Sequence, residues 1–444
     1  MHSRFMRAMP RHPHTVFGLI LLLAASPAHA AETPLSLADA QRIAAERSRQ
    51  LAAQDSAISA SREMAVAAGQ LADPSLKLGI DNLPVNGPDQ FSTTADFMTM
   101  RRIGVMQEFT RGEKRQLRAE RHEREAERGL AEKTATLATI QRDTALAWLD
   151  RYYAEAAAAI LAEQSKEARL EVEAAETGYR SGRGSQADVY SARSAVVALE
   201  DRASEIGRRL SNAKTAMARW VGEAAGAPLA GKPAIDALRI DTRSLDAELA
   251  HHPQIMVLSK QEEIAGTEAR LARANKQADW SLEVMYSQRG PSYSNMVSVG
   301  VAIPLQWDQK NRQDREVAAK LAMAEQARAQ REDMLRAHIA EVRAMVNEWE
   351  NGRERNVRYQ RELVPLSKER TQAVLAAYRG GKATLMEVLA ARRNEIEVRM
   401  QALQLEAETA RVWAQINFLF PDGAGARHPG AAANLPANPT RESR

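Results

Sequence analysis

The sequence contains no cysteine. Disulfides, thiolate metal sites, a cysteine nucleophile and a lipid anchor on a processed N-terminal cysteine are thereby excluded. Aromatics are scarce, 5% of 444 residues, so a core built on large rings is not expected. Beyond the N-terminus no run reaches about 18 consecutive apolar residues, which argues against a transmembrane helix. Glycine-rich phosphate loops, a nucleophile elbow, a zinc helix motif and paired catalytic acids are also missing. The chain is expected to catalyse nothing and to need no cofactor. What is abundant is Ala, Leu, Glu, Arg and Gln, the residues of long helices.

The N-terminus carries Arg4, Arg7 and Arg11 without an acid, then an apolar stretch from Val16 to Ala25 and Ala28-His29-Ala30. This pattern predicts a secretory signal peptide over residues 1–30. Without its three arginines the formal charge of +4 falls to +1, so the basic balance is no argument for nucleic acid as a partner.

The remainder is expected to be two copies of one plan, residues 31–230 and 231–421. Tyr179-Arg180-Ser181-Gly182-Arg183 is matched by Tyr378-Arg379-Gly380-Gly381-Lys382 at an offset of 199 (Tyr179 against Tyr378), and Asp188-Val189 by Glu387-Val388. A 3/4-spaced seam follows each turn: Val189, Ala192, Val196, Leu199, Ala203 and Ile206 in the first copy, Val388, Ala391, Glu395, Val398, Ala402 and Leu405 in the second. Such spacing marks a coiled-coil seam. Long helical patterns precede both turns, roughly 113–178 and 314–377. At 1.5 Å per residue, helices of about 65 residues reach on the order of 100 Å, beyond any globular core. Each half therefore predicts a long antiparallel helical hairpin, over about 113–222 and 314–419, with Pro365 disturbing the second.

Ahead of each long helix the period changes to two. Strands are expected at about 74–83, 97–109, 280–288 and 296–306, the second assigned mainly by analogy with its repeat. These are of membrane-strand length. Of 21 aromatics, Phe91, Phe97, Phe109, Trp280, Tyr286, Tyr293 and Trp307 lie on or beside them, as an interfacial girdle would. From the strands alone, two hairpins packed on a soluble helical body fit as well. Residues 422–444, rich in Ala, Pro and Gly, predict a disordered tail.

Helix-strand-strand-long helix-turn-helix given twice behind a signal peptide resembles the TolC family of outer-membrane efflux channels, over about Leu35 to Pro421. The Tyr-Arg-x-Gly turns and Ile303-Pro304-Leu305 carry the likeness locally. Asp73-Pro74-Ser75-Leu76, Asn82-Leu83-Pro84 and the stretch from Phe97 to Phe109 are similar to the heavy-metal branch, the CzcC and CusC-like channels. The resemblance implies a mainly α chain with a small membrane β part. It implies a homotrimer whose twelve strands close one barrel in outer-membrane lipid, continued by a long periplasmic α-helical barrel. The implied partners are a periplasmic adaptor and an inner-membrane pump of the resistance-nodulation-division type; the implied cargo is heavy-metal cations. A periplasmic coiled-coil adaptor or scaffold, and a drug or protein export channel, are the alternatives.

The resemblance makes Arg180, Gly182, Arg183, Arg379, Gly381 and Lys382 adaptor-contact tips, and Tyr179, Asp188, Tyr378 and Glu387 a periplasmic aperture. Independently, Ser185 and Thr384 precede Asp188 and Glu387 by three residues, the spacing of a helix capping box. Met98, Met100 and Met106 suggest soft-metal ligands but read more simply as lipid-facing or packing residues. His251 and His252, adjacent in sequence, do not share a helix face, and no metal site is expected there.

Overall fold

The computed structural model describes residues 34–422 except 233. The expected signal peptide and tail lie outside them, apart from residue 422. Ser36 and Ser48 open the first two helices, α1 (Leu37–Arg47) and α2 (Arg49–Ala68), their side chains accepting from Asp39 N and Leu51 N. Strands β1 (Ser75–Asp81) and β2 (Met100–Phe109) follow, then α3 (Gly112–Arg180) and α4 (Gln186–Val221). A 3-10 turn and a linker lead to the second series: α5 (Leu245–Leu249), α6 (Pro253–Ala274), β3 (Trp280–Gln288), β4 (Met296–Ala302), α7 (Gln313–Arg358), α8 (Val364–Arg379) and α9 (Leu385–Asn417). No helix among the described residues is long and apolar enough to cross a membrane.

α3 is 69 residues long, about 100 Å at the helical rise. Its counterpart is divided. Between α7 and α8 lies a single π turn, Tyr359–Leu363, immediately ahead of Pro365. The proline ring has no N–H and would strike the carbonyl four residues back, and the wider turn accommodates both effects.

The strands form one antiparallel sheet in the order β1-β2-β3-β4. The β2–β3 pairing, Phe109 against Trp280 through Arg101 against Gln288, joins the two series directly, a pairing that two separate hairpins would not contain. β4 ends at Ala302, before Pro304, several residues short of the expected 306, since a proline cannot donate to a ladder.

The main core gathers around the middle of the helices, and both series build it alike. Trp148 Nε1 donates to Leu35 O at 3.1 Å, and Trp349 Nε1 to Ile235 O at 3.1 Å. Each tryptophan ties an incoming segment to its long helix. Buried Arg151 holds the inter-series linker, donating to Ala225 O at 2.8 Å and Ala227 O at 2.7 Å. A second core, with Leu161, Leu199, Ile206 and Ile396, and a third, with Ala175, Val189, Ala192, Leu385 and Val388, continue between the hairpins toward their turns. The seam of α9 is inward along its length, polar Glu395 and Thr409 included.

Candidate functional site

Two regions carry features that folding does not require: the faces of the sheet and the two hairpin turns. Alternation places Leu76, Leu78 and Ile80 of β1 opposite Val105, Ile103 and Arg101 of β2. The same face continues through Trp280, Leu282, Val284 and Tyr286 of β3 to Val301, Val299 and Val297 of β4. Nearly all these apolar side chains are exposed, Val299 by 69% and Leu78 by 70%. Phe109 and Trp280 stack at one margin, ring centroids 4.3 Å apart. A contiguous apolar band of this extent on a soluble surface is an interaction or membrane surface, and an aromatic pair at its border suits a lipid interface.

The opposite face is polar. Lys77 pairs with Glu283 across β2, and Arg102 with Asp81 at 2.7 Å. Gly104 lies between Lys77 and Met285 in register, and the Met285 side chain covers it. A Cβ there would stand 2.6 Å from Met285 Sδ and 2.5 Å from the Val284 carbonyl oxygen. Met100 and Met106 share this polar face with Met285 and Met296. The lipid-facing reading of those strand methionines is therefore corrected: register turns them away from the apolar band. Met98 lies before β2, in the loop.

At the other end of α3 the two turns repeat one hydrogen-bond pattern. Ser181, Gly182 and Arg183 donate backbone N–H to Thr177, Tyr179 and Gly178; Gly380, Gly381 and Lys382 donate to Ala376, Tyr378 and Ala377. Gly182 and Gly381 adopt φ of +68° and +71°, the left-handed conformation that ends a helix most easily as glycine. Arg180, Arg183, Arg379 and Lys382 are exposed, and none joins an ion pair among the described residues. Tyr179 is exposed, whereas Tyr378 is half-buried against the core that holds Val189 and Val388.

Both capping boxes form. Ser185 N donates to Asp188 Oδ2 at 2.8 Å while Asp188 N donates to Ser185 Oγ at 3.2 Å. Thr384 N donates to Glu387 Oε2 at 2.7 Å and Glu387 N to Thr384 Oγ1 at 3.3 Å. Bonds from the capping residue's backbone and hydroxyl hold each carboxyl below its ordinary range, so both are anionic at neutral pH. The geometry thus presents two fixed negative charges and four exposed basic side chains at one end of the chain.

A pair that sequence reading missed lies near the helix middles. His252 caps α6 and its ring lies 4.2 Å, centroid to centroid, from that of His338 on α7. Burial, and then the charge of His338, push the His252 pKa down to about 3. Neighbouring His251 is exposed. No group of three or more His, Cys, Asp or Glu among the described residues is arranged to hold a metal.

The family model for outer membrane efflux proteins matches residues 245–420. No curated protein matches the sequence. Among solved structures, the outer membrane protein VceC of Vibrio cholerae superposes with a TM-score of 0.70 at 20% identity, covering 86% of this chain and 95% of its own. CusC, solved for its folding and transmembrane channel formation, gives 0.70 at 15% identity, covering 88% and 93%. The open state of the Neisseria gonorrhoeae MtrE outer membrane channel gives 0.67 at 16%, covering 86% and 88%. The second series is thus similar in sequence to the outer membrane efflux proteins, and the chain shares the fold of solved outer membrane channels along nearly its whole length.

Proposed function

We propose that the chain is the outer-membrane channel of a tripartite efflux system, assembled as a homotrimer and conducting passively what an inner-membrane pump and a periplasmic adaptor deliver. The observation that carries this reading is the sheet: an exposed apolar band on one face, charges and small residues on the other, and outer strands β1 and β4 each paired on one side only. In hydrocarbon every backbone polar group needs a partner, so a four-stranded sheet cannot sit there with open edges. Joining β4 of one copy to β1 of the next removes the edges, and three copies supply twelve strands around a polar lumen. The signal peptide, residues 1–30, and the repeats 31–230 and 231–421 belong to this reading.

In it the hairpin turns form the periplasmic mouth. The unpaired Arg180, Arg183, Arg379 and Lys382 meet the adaptor, and Gly182 and Gly381 shape the surface they stand on. Asp188 and Glu387 ring the aperture beside Tyr179 and Tyr378, six carboxylates per trimer. As cargo we propose heavy-metal cations, on the local likeness of residues 73–109 to the heavy-metal branch. The fold is equally close to VceC and CusC, so this assignment is supported by the local sequence alone. Membrane fractionation followed by mass determination of the unboiled, detergent-solubilised protein tests the channel. An outer-membrane trimer is expected; a soluble monomer overturns the reading. Deletion of the gene should lower tolerance to metal ions rather than to organic drugs, and the reverse result would replace the cargo.

A further inference from the structure

The two hairpins meet along α3 and α9, and between the tip core and the middle of the helices this contact turns from apolar to ionic. Arg392 Nε donates to Glu171 Oε1 at 3.2 Å; its Nη1 pairs with Glu167 and lies 3.5 Å from Glu395 Oε2. Two turns along α9, Arg399 reaches Glu163 at 2.7 Å and lies 4.0 Å from Glu395 Oε1. Glu171 and Glu395 are 7% and 4% exposed. Glu171 Oε2 and Glu395 Oε2 are fully shielded and receive no hydrogen bond, and Gln164 Oε1, on the same stripe of α3, is in the same state.

The arrangement is short of positive charge: Glu163, Glu167, Glu171 and Glu395 stand against Arg392 and Arg399. The surrounding elements do not make up the deficit. From α8 exposed Lys368 bears on Glu163, and the exposed Arg370 of that helix joins no ion pair with the cluster among the described residues. α4 contributes apolar Leu199 and Ile206, and its nearby charges are spent in the exposed pairs Arg169–Glu200 and Arg202–Glu397. Uncompensated buried carboxylates are costly, and a shielded oxygen without a donor adds to the cost. With no metal-holding group of His, Cys, Asp or Glu among the described residues, a proton is the ligand that supplies both the missing charge and the missing donor.

We propose that the Arg392 cluster is a proton-dependent clasp between the two helical hairpins, closed while Glu171 is protonated and loosened when it ionises. Burial pushes the Glu171 carboxyl above the ordinary glutamate value of 4.5 against the opposing pull of Arg392. The sign follows: the contribution of a raised acid is fully present below 4.5 and is lost as pH rises through the folded value. The clasp therefore grips in acid and slackens toward neutrality. Asp188 and Glu387, held low by their caps, titrate below that window and do not mimic it. The contact itself lies within one chain; its consequence, a mouth that opens more readily as pH rises, rests on the channel reading.

The absence of cysteine allows a direct test on the full-length protein. Leu170→Cys on α3 and Asn394→Cys on α9, both exposed, are spin-labelled, diluted with unlabelled copies, and their separation is measured by pulsed electron resonance from pH 5 to 8. The separation should lengthen and broaden with rising pH, the loose-to-closed ratio changing up to about tenfold for each unit by which the Glu171 pKa differs between the two states. Glu171→Gln, neutral at every pH and of the same shape, should keep the acid distribution throughout, and Glu173→Gln, on the exposed face, should follow the parent. Identical pH curves for the parent and Glu171→Gln, or a separation that ignores pH in both, overturn the clasp. Bilayer recordings separate the two levels: a trimer that conducts but whose hairpins ignore pH sinks the clasp alone, whereas pH-dependent separation without any current sinks the channel and leaves the clasp standing.

Discussion

Gly104 offers a sharp test of the sheet, because it sits on the β2–β3 pairing that joins the two series. An alanine Cβ would lie 2.5 Å from the Val284 carbonyl oxygen, 2.6 Å from Met285 Sδ and 2.9 Å from Met285 Cα. The sulfur can swing away, but the other two atoms are backbone and can move only by displacing β3. Overpacking of this kind costs about 1–3 kcal/mol per site. Three copies in one barrel would sum to about 3–9 kcal/mol if the sites are independent. Gly300 on β4 is the internal control: it shares the polar face, yet its Cβ would meet nothing within 4 Å. Alanine there should be neutral or stabilise by about 0.4–1 kcal/mol through the unfolded chain. The assay is the temperature at which the unboiled oligomer dissociates on a gel. Gly104→Ala should lower it clearly and Gly300→Ala should not, and Met285→Ala should rescue Gly104→Ala only in part. Equal midpoints for the two alanine variants would refute the register on which the faces of the sheet are assigned.

Replacing both Asp188 and Glu387 by alanine should raise conductance or weaken divalent block in lipid bilayers; unchanged currents in a folded trimer would leave these residues as caps only. Their carboxyls are depressed in the folded chain, so the stability they add is present above the unfolded values of 3.8 and 4.5 and is lost as pH falls through the folded ones, which an acid melting series of parent and variant would show. Trp349→Phe keeps most of the ring but leaves Ile235 O without its donor; a loss of about 1–3 kcal/mol in denaturant unfolding is expected, and Trp148→Phe should cost a similar amount at Leu35. His252, depressed to about 3 from 6.5, favours the folded state above 6.5 and withdraws that support as pH falls toward 3. His252→Asn, which retains a capping side chain and does not titrate, should flatten the fall in melting temperature between pH 7 and 5.

The helices, the turns and both capping boxes were legible in the sequence because they depend on neighbours within a few residues. Ser185 with Asp188 and Thr384 with Glu387 need only their spacing, and the seam of α9 needs only its period. The strands were legible as strands, but their order was not. Periodicity says which side chains share a face and nothing about which strand is adjacent, so the β2–β3 pairing and the place of Met100 and Met106 on the polar face waited on the register. Glu395 interrupted the apolar seam without showing its purpose. Its neighbour on α9, Arg392, meets Glu171 of α3 only through the packing of one hairpin on the other, as His338 meets His252. Contacts between residues far apart in the chain leave no local pattern to read.

The pairing of Phe109 with Trp280 also sets a timetable. β1 and β2 can zip together as soon as both have been made, but β2 then waits for some 170 residues of helix and linker before its other neighbour arrives. Contacts of such long range form slowly, because the intervening loop must be closed before they return any energy. During that wait the first hairpin carries a half-finished wall with an open edge, a species prone to pair with the wrong chain. The helices between are built on contacts close in sequence and shorten the distance to be closed, so the coiled body acts as the jig on which the sheet is assembled.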